Sequence, residues 1–321
     1  MSQGFWAKLK KPILALAPMY DVTDTAFRQI LARIGRPDVF FTEFVSVDGL
    51  AHSASRDKLV KRHLRFEETE RPIVAQIWGR DPEKFRMAAE LVRELGFDGI
   101  DINMGCPVGK IIKHGSCASL ILEPQRAQEI IRATQAGAGE LPVSVKTRIG
   151  FNENVVDSWM SSLLEVRPAA ITLHGRTAKE LSKVPAHWDV IGAAAKMAHG
   201  TGVLVLGNGD ILTREDGIAK AQEYGLDGVM VGRGIFQNLW FFNPDVDEAG
   251  IDLNTRLDLM IEHARLFDFY FGGIKNFAMM RKHFSNYVRS YAYVSELRER
   301  LMQAASADDV KNIVKEWRES R

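Results

Sequence analysis

Between residues 13 and 234, short apolar runs alternate with longer stretches in which apolar residues recur at helical spacing. Each apolar run ends in polar residues or glycine, which is typical of strands buried in a parallel sheet. We predict eight strands, over residues 13–18, 39–45, 72–79, 99–105, 142–150, 170–176, 202–210 and 228–234.

Helix signals fill most of the gaps between these runs. In the segment 81–96, Asp81 suits an N-cap, Pro82 suits a first turn and Gly96 ends the helical pattern. Eight strand–helix units predict an α/β fold, a parallel (β/α)8 TIM barrel. A doubly wound open sheet is the alternative, but it rarely needs eight strands, and no G-x-G-x-x-G follows the first run.

The pattern changes after Asn243. An acidic segment with proline and glycine follows, and from Leu253 onwards the chain has helical patterns only. We therefore predict two domains, a barrel over 1–244 and a C-terminal all-α helical domain over 245–321.

Composition narrows the function classes. The chain has 321 residues and a net charge of +1, so any nucleic-acid surface must be local. Two cysteines form neither a disulfide framework nor a zinc cluster, and the eight histidines lack metal spacing, so we expect a cytoplasmic protein without a metal. No apolar run approaches the ~18 residues of a membrane span, so we expect no membrane association.

Polar side chains gather at the predicted C-terminal strand ends, where barrel enzymes place their reacting groups. Buried polar groups need partners, so this convergence favours a planar, polar ligand at the barrel mouth. The residues concerned are Gln76, Asp101, Asn103, Ser144, Lys146, Arg148, Thr172, His174, Arg176 and Asn208.

Two glycine-containing loops, 207–210 and 232–234, follow the last two predicted strands. Barrels often bind phosphate there, since glycine lets backbone N–H groups approach the oxygens and Arg233 can add a charge. Ordinary tight turns are the alternative. A polar mouth with a phosphate clamp fits a flavin mononucleotide (FMN) better than a nicotinamide dinucleotide.

Cys106 stands between Gly105 and Pro107 at the end of the fourth predicted strand. A cysteine alone is more often a small buried hydrophobe. Its position at a strand end, near Asn103, favours a chemical role.

In these motifs the chain resembles the tRNA-dihydrouridine synthases, over nearly its whole length and in the same order. The combination of Asn-x-Gly-Cys-Pro with His-Gly-Arg-Thr is highly specific. The matching segments are 16–24, 42–46, 75–79, 101–110, 114–122, 143–150, 173–177, 207–211, 231–236 and 280–287.

The resemblance implies an FMN-binding barrel with Cys106 as catalytic acid and Asn103 beside the uracil. Arg148 and Arg176 would face the substrate. The implied cofactor residues are Ala17, Pro18 and Met19 against the flavin ring, Gln76, Lys146 and His174 at its polar edge, and Asn208, Gly209, Asp210, Gly232 and Arg233 at its ribityl phosphate.

The implied reaction reduces the C5=C6 bond of a uridine in tRNA. NADPH would reduce FMN, hydride would pass to C6, and Cys106 would protonate C5. An ordinary thiol pKa of ~8.5 would keep Cys106 protonated near pH 7, as an acid requires. Lys146 would stabilise the negative charge of the reduced flavin.

An RNA-binding surface is expected in the segment 269–295, which holds basic and aromatic residues and no acidic one. We predict that Lys275, Arg281 and Lys282 contact the tRNA. Aromatic residues in the protein core and a solvated basic face are the alternative interpretation. The aromatic residues in question are Tyr270, Phe284, Tyr287 and Tyr291.

Two features depart from the family pattern. Cys117 occupies a position that is commonly glycine or another small residue, and we expect it to be structural unless it reaches Cys106. The loop 177–189 lacks the Gln-x-Tyr of many bacterial members, so the target uridine stays open. Competing hypotheses are a flavin barrel acting on a free pyrimidine and a non-catalytic RNA-binding protein. The working expectation is a monomer.

Overall fold

The computed structural model describes residues 3–289, 291 and 293–320, and Met1, Ser2, Ser290, Ala292 and Arg321 lie outside that description. The described residues form nine strands, all joined in one parallel sheet. The strands are β1 (Ile13–Leu16), β2 (Phe40–Phe41), β3 (Val45–Ser46), β4 (Ile73–Trp78), β5 (Gly99–Met104), β6 (Val143–Arg148), β7 (Ala170–His174), β8 (Leu204–Asn208) and β9 (Gly228–Val231).

The sheet closes into a barrel. Its strands follow the order β1-β9-β8-β7-β6-β5-β4-β2, and β3 extends the second position beside β4. A parallel bridge between Ala15 and Val39 joins β1 to the segment that enters β2, which completes the ring. The (β/α)8 TIM-barrel prediction is confirmed, and the open-sheet alternative is excluded.

The second predicted strand, 39–45, is divided in two. Between β2 and β3, Thr42 Oγ1 accepts from the Gln76 N–H at 3.1 Å, and Glu43 Oε1 accepts from the Asp21 N–H at 2.6 Å. The Thr42 N–H still donates to the Val74 carbonyl at 3.0 Å, but the Thr42 hydroxyl takes the Gln76 N–H that a backbone carbonyl would take in a continuous strand. The local role of Thr42 and Glu43 could not be read from the apolar run around them.

Helices alternate with the strands and continue after the barrel. The barrel helices are α1 (Thr25–Ile34), α2 (Val47–Ala51), α3 (Ser53–His63), α4 (Pro82–Glu94), α5 (Gly109–Ile112), α6 (Pro124–Ala138), α7 (Val156–Glu165), α8 (Trp188–Ala198) and α9 (Arg214–Glu223). The C-terminal helices are α10 (Leu253–Phe271), α11 (Arg281–Val288), α12 (Ser295–Leu301) and α13 (Ala307–Glu319).

Helix α4 begins and ends where the sequence predicts. The Asp81 carboxylate accepts from the Glu83 N–H at 3.0 Å, and Pro82 occupies the first turn. Gly96 follows the helix with φ +79°, a left-handed conformation that favours glycine.

The C-terminal helices pack directly on the barrel. Phe27 of α1 and Leu257 and Phe267 of α10 belong to one continuous hydrophobic cluster that also reaches Val314 of α13. The region after residue 244 is helical, as predicted, while the domain boundary at 244/245 stays a prediction. Within the described residues, no helix combines the length and apolarity needed to cross a membrane.

Candidate active site

A cavity of about 580 Å³ opens at the C-terminal ends of the barrel strands. Its wall brings together most of the residues that the sequence predicts for a ligand. The predicted residues in the wall are Ala17, Pro18, Met19, Lys146, Arg148, His174, Arg176, Asn208, Gly209, Asp210, Gly232 and Arg233.

Other lining residues were not predicted. Met230 lies on β9, two residues before the predicted Gly232. Leu181 and Ser182 come from the loop 177–189, whose structure the sequence left open. The remaining unpredicted residues are Pro107, Ile211, Leu212, Gly234 and Gln237. The described residues contain no cluster of His, Cys, Asp or Glu able to hold a metal ion.

Lys146 projects from β6 into the cavity. Its Nζ donates to Asn208 Oδ1 at 3.2 Å, and Asn208 Nδ2 in turn donates to the Met230 carbonyl at 2.7 Å. Burial, together with the positive charge of Arg148, lowers the pKa of Lys146 to about 8. Lys146 is therefore a cation at neutral pH, and it has no carboxylate bonded to it among the described residues.

His174 is neutral. Burial and then the nearby cations Lys146, Arg148 and Arg176 hold its pKa well below the usual value. Its Nε2 lies 3.3 Å from Arg176 Nη1, a contact that is favourable when Nε2 is the unprotonated nitrogen and accepts. The imidazole can then donate from its other nitrogen.

Asp210 organises the arginines at the predicted phosphate clamp. Its carboxylate forms an ion pair with buried Arg176, accepts from the Ala186 N–H at 2.9 Å and lies 3.4 Å from Arg233. An anion in this part of the cavity would therefore meet Arg233 and backbone N–H groups. The Asp210 carboxylate would not contact the anion itself but would hold Arg176 and Arg233 in position. Gly209 is required because its φ is +131° and a Cβ would lie 2.7 Å from the Ala186 Cβ.

Arg148 is predicted to face the substrate, and it does line the cavity. Its N–H groups, however, donate to backbone carbonyls of the surrounding chain. Its Nε donates to the Gly105 carbonyl at 2.7 Å, and its Nη1 donates to the carbonyls of Thr177 at 3.0 Å and Leu181 at 3.2 Å. Arg148 thus ties the turn before Cys106 to the loop 177–189.

Asn103 builds the turn that presents Cys106. Its Oδ1 accepts from the N–H groups of Gly105 at 3.1 Å and Cys106 at 3.0 Å. Its Nδ2 donates to Gln76 Oε1 at 3.0 Å, and Gln76 Nε2 donates to Asp101 Oδ2 at 2.7 Å. Both amides are engaged within the chain and neither lines the cavity, so direct ligand contacts by Gln76 and Asn103 stay predictions.

Cys106 differs from the sequence expectation in its protonation. The neighbouring Cys117 thiol is the largest cause that lowers the pKa of Cys106. Burial raises this pKa, while the Val108 N–H and the positive charges of Arg148 and Lys146 lower it further. The resulting pKa of Cys106 is about 6. This pKa lies below the reference value of ~8.5 on which the expectation of a protonated thiol at neutral pH depends. Cys117 lies beside Cys106, because the N–H of the next residue, Ala118, donates to the Cys106 carbonyl at 3.3 Å, and the two thiols shift each other's pKa.

The predicted RNA contact at Lys275 is wrong. Its side chain is fully buried, and Nζ donates to Glu43 Oε2 at 2.6 Å and to Asp24 Oδ2 at 3.2 Å. Sequence could not distinguish a lysine buried in ion pairs from one on the surface. Arg281 is half-buried and Lys282 is exposed, so their contacts with RNA stay predictions.

The predicted stacking surface for bases is also mostly wrong. Tyr270, Phe284 and Tyr287 are buried in the core between α10, α11 and the barrel. Tyr291 is half-buried, and its hydroxyl donates to the Ile251 carbonyl at 2.7 Å. The aromatic residues of this segment thus stabilise the helical region.

Comparison with known proteins decides the family. The dihydrouridine synthase (Dus) family model matches residues 15–320. The chain belongs to the dihydrouridine synthase family. It is 42% identical to a probable tRNA-dihydrouridine synthase of Staphylococcus aureus (strain MRSA252), covering 99% of this chain and 96% of that protein. It is 41% identical to probable tRNA-dihydrouridine synthase 2 of Bacillus subtilis (strain 168), covering 99% and 97%.

Solved structures outside the dihydrouridine synthase relatives share the barrel. A 2-naphthoyl-CoA reductase complex aligns with a TM-score of 0.58 at 9% identity, over 72% of this chain and 49% of the other. Histamine dehydrogenase from Rhizobium sp. 4-9 aligns with a TM-score of 0.54 at 11% identity, over 79% and 48%. The chain spans about half the length of these two proteins, and the likeness concerns the fold alone.

Proposed function

We propose that this member of the dihydrouridine synthase family is a tRNA-dihydrouridine synthase, an oxidoreductase that reduces the C5=C6 bond of uridines in tRNA. The observation that carries the proposal is the Cys106 turn beside a cationic cavity at the barrel mouth. The relatives named above support tRNA as the substrate. The proposal includes NADPH as the reductant and a cytoplasmic monomer.

FMN fits the chemistry of the cavity. The volume lies within the range of about 300–1,000 Å³ that is usual for small-molecule sites. Lys146 and neutral His174 offer donors to a polar ring edge, and Gly209, Gly232 and Arg233 form a wall suited to a phosphate. When bound, the flavin would supply the hydride that the uracil takes up at C6.

Cys106 would supply the proton that C5 takes up. A pKa of about 6 favours the thiolate form of Cys106 at neutral pH. Negative charge brought into the cavity by ligands would offset Lys146 and Arg148, and so would raise the pKa of Cys106 towards that of an effective acid. Ligand binding and protonation of Cys106 would then be coupled.

The uracil would have to leave the folded tRNA to enter the barrel mouth. Exposed Lys282 and Arg289, with half-buried Arg281, are the basic residues of the segment 269–295 that remain available to phosphates. Leu181 and Ser182 line the cavity from the loop 177–189, so this loop borders the space proposed for the base.

The experiment is a turnover assay with NADPH, FMN and tRNA transcribed without modifications, run beside free uridine and free orotate. We expect dihydrouridine in the tRNA, detected by mass spectrometry as a gain of two hydrogens at uridine. Turnover confined to the free pyrimidines would replace the proposal with a small-molecule reductase. Tight tRNA binding by a protein that retains no flavin would favour a non-catalytic RNA-binding role.

A further inference from the structure

The two cysteines of the chain meet beside the barrel mouth. The Ala118 N–H donates to the Cys106 carbonyl at 3.3 Å, which brings the backbone after Cys117 against Cys106. The two thiols are close enough for each to shift the pKa of the other. Since the chain holds two cysteines in all, each is the other's sole thiol neighbour within one molecule.

Cys117 occupies an unusual backbone conformation. Its φ is +55°, in the left-handed region that favours glycine, and its side chain is completely buried. A side chain held there against its backbone preference needs a compensating contact, and the Cys106 thiol is one. Cys106 itself is half-buried, so a small oxidant can reach it.

The segment between the two cysteines can adjust without disturbing the core. Helix α5 buries none of its residues, and Val108 is 52% exposed. Disulfide formation requires Cβ atoms about 3.5–4.5 Å apart with a specific dihedral angle. A surface segment with few buried contacts can move enough to meet this requirement.

We infer that Cys106 and Cys117 form a reversible oxidation site, at which hydrogen peroxide joins the two thiols in an intramolecular disulfide. The Cys106 thiolate attacks one peroxide oxygen, the O–O bond breaks, and hydroxide leaves a sulfenic acid on Cys106. The Cys117 sulfur then attacks the Cys106 sulfur, an S–S bond forms and the S–O bond breaks. The Cys117 proton combines with the hydroxide that leaves in this step, and the hydroxide released in the first step takes from solvent the proton that Cys106 lost on ionising. Two thiols are thus oxidised to one disulfide, and one peroxide is reduced to two waters.

The consequence for activity rests on the proposed function. A disulfide removes the Cys106 proton donor, so the oxidised enzyme would be unable to protonate C5. A dithiol reductant would restore both thiols by exchange. Capture by Cys117 would also protect Cys106 from the irreversible sulfinic and sulfonic acids.

The test treats the purified full chain with a small molar excess of hydrogen peroxide, blocks remaining thiols with iodoacetamide, and maps peptides by mass spectrometry. We expect a linked peptide pair with the mass of two hydrogens less, which disappears with dithiothreitol. The matched variant is Cys117→Gly, because glycine accepts the left-handed conformation. In that variant Cys106 should gain oxygen atoms that dithiothreitol does not fully remove.

The outcomes separate this inference from the proposed function. If Cys106 in the wild type gains oxygen at the same rate as in Cys117→Gly, with Cys117 still alkylatable after unfolding, the inference is overturned. Disulfides between chains, seen on a non-reducing gel, would overturn it as well. A linked peptide pair in a protein that never reduces tRNA would uphold the oxidation site and sink the proposed function alone.

Discussion

The charges of two lysines are balanced in different ways, Lys146 at the barrel mouth and Lys275 at the contact between the barrel and the C-terminal helices, called the joint below. At the joint, Lys275 is enclosed and bonded to both Glu43 and Asp24. At the mouth, Lys146 has the neutral Asn208 amide as its bonded partner, and its pKa is lowered to about 8 by burial and by Arg148.

The same contrast applies to the groups around each lysine. Burial by itself would raise the pKa of Glu43, but His63 and Lys275 outweigh burial and lower it to about 2, as expected for a satisfied ion-pair site. The mouth instead gathers Lys146, Arg148, Arg176 and Arg233 around a cavity in which Asp210 is the carboxylate of the wall, while buried Asp101 and half-buried Glu180 lie further back, close to Lys146 and Arg148 respectively. A protein tolerates such unbalanced charge where a ligand supplies the balance, so the mouth is built for an anion and the joint for stability.

A substitution in the mouth should remove activity and leave folding intact. We expect Cys106→Ala to lower single-turnover dihydrouridine formation on tRNA by about 10²–10⁴-fold, the usual cost of losing a general acid. Its urea unfolding midpoint should stay close to that of the wild type, because the side chain is small and half-buried. Full single-turnover activity in this variant would contradict the assignment of Cys106.

The two lysines should respond oppositely to replacement by methionine. Lys275→Met removes the lysine that is bonded to two buried carboxylates, and should lower the free energy of unfolding by about 3–5 kcal/mol in urea titrations. Lys146→Met removes a desolvated charge that is bonded to no carboxylate and attracted by Asp101 without contact, so the free energy of unfolding should be unchanged or higher. Equal destabilisation by both variants would remove the distinction between mouth and joint.

Acid should weaken the joint through its buried histidines. Burial lowers the pKa of His263 to about 3, and burial, with the positive charges of Lys282 and Lys275 adding to it, holds the pKa of His283 well below normal. The unfolded chain therefore binds more protons below about pH 6.5, so each histidine should lower the free energy of unfolding by up to about 1.4 kcal/mol per pH unit as pH falls.

The matched variant for this pH dependence is His283→Phe. His283 packs against Phe27 and Phe236, and its Nδ1 has no hydrogen-bond partner in the described chain, so an aromatic replacement suits the site. Urea titrations between about pH 7 and 5 should show a slope smaller by one histidine's contribution. An unchanged slope would mean that His283 does not titrate on unfolding as proposed.

The smallest effect concerns the surface of the helical region. Lys282→Ala should weaken tRNA binding modestly and reduce the slope of log affinity against log salt by about 1, the effect of one lost phosphate contact. Lys8→Ala is the control, because exposed Lys8 lies at the opposite end of the barrel. If both variants keep the wild-type salt slope, Lys282 does not contact the tRNA backbone.

The barrel could be predicted from sequence because buried parallel strands are apolar throughout and each is followed by a helix pattern. The division of the second strand could not, since it depends on Thr42 and Glu43 finding partners on distant elements. The mouth residues could be predicted because parallel strands of a barrel place their C-terminal ends together. Leu181 and Ser182 could not, because the loop that carries them has no regular period.

The protonation of Cys106 and the burial of Lys275 could not be predicted from the sequence. The reference pKa of a thiol does not include the effect of Cys117, which is eleven positions from Cys106 in the sequence but lies beside it in space. The basic character of the segment 269–295 likewise did not reveal that Lys275 serves two carboxylates of the barrel. Both depend on contacts between distant parts of the chain.

The most direct test of the central claim, that the mouth holds unbalanced cations for an anionic flavin, is a titration of flavin-free protein with FMN followed by fluorescence. We predict one FMN bound per chain. The binding free energy of FMN should be weaker by about 1.5–3 kcal/mol in Lys146→Met, which is the usual contribution of a hydrogen bond to a charged group. In Lys275→Met it should be close to that of the wild type, under conditions where that variant is folded. Failure of the folded wild type to bind FMN, or equal affinity in Lys146→Met, would contradict the account.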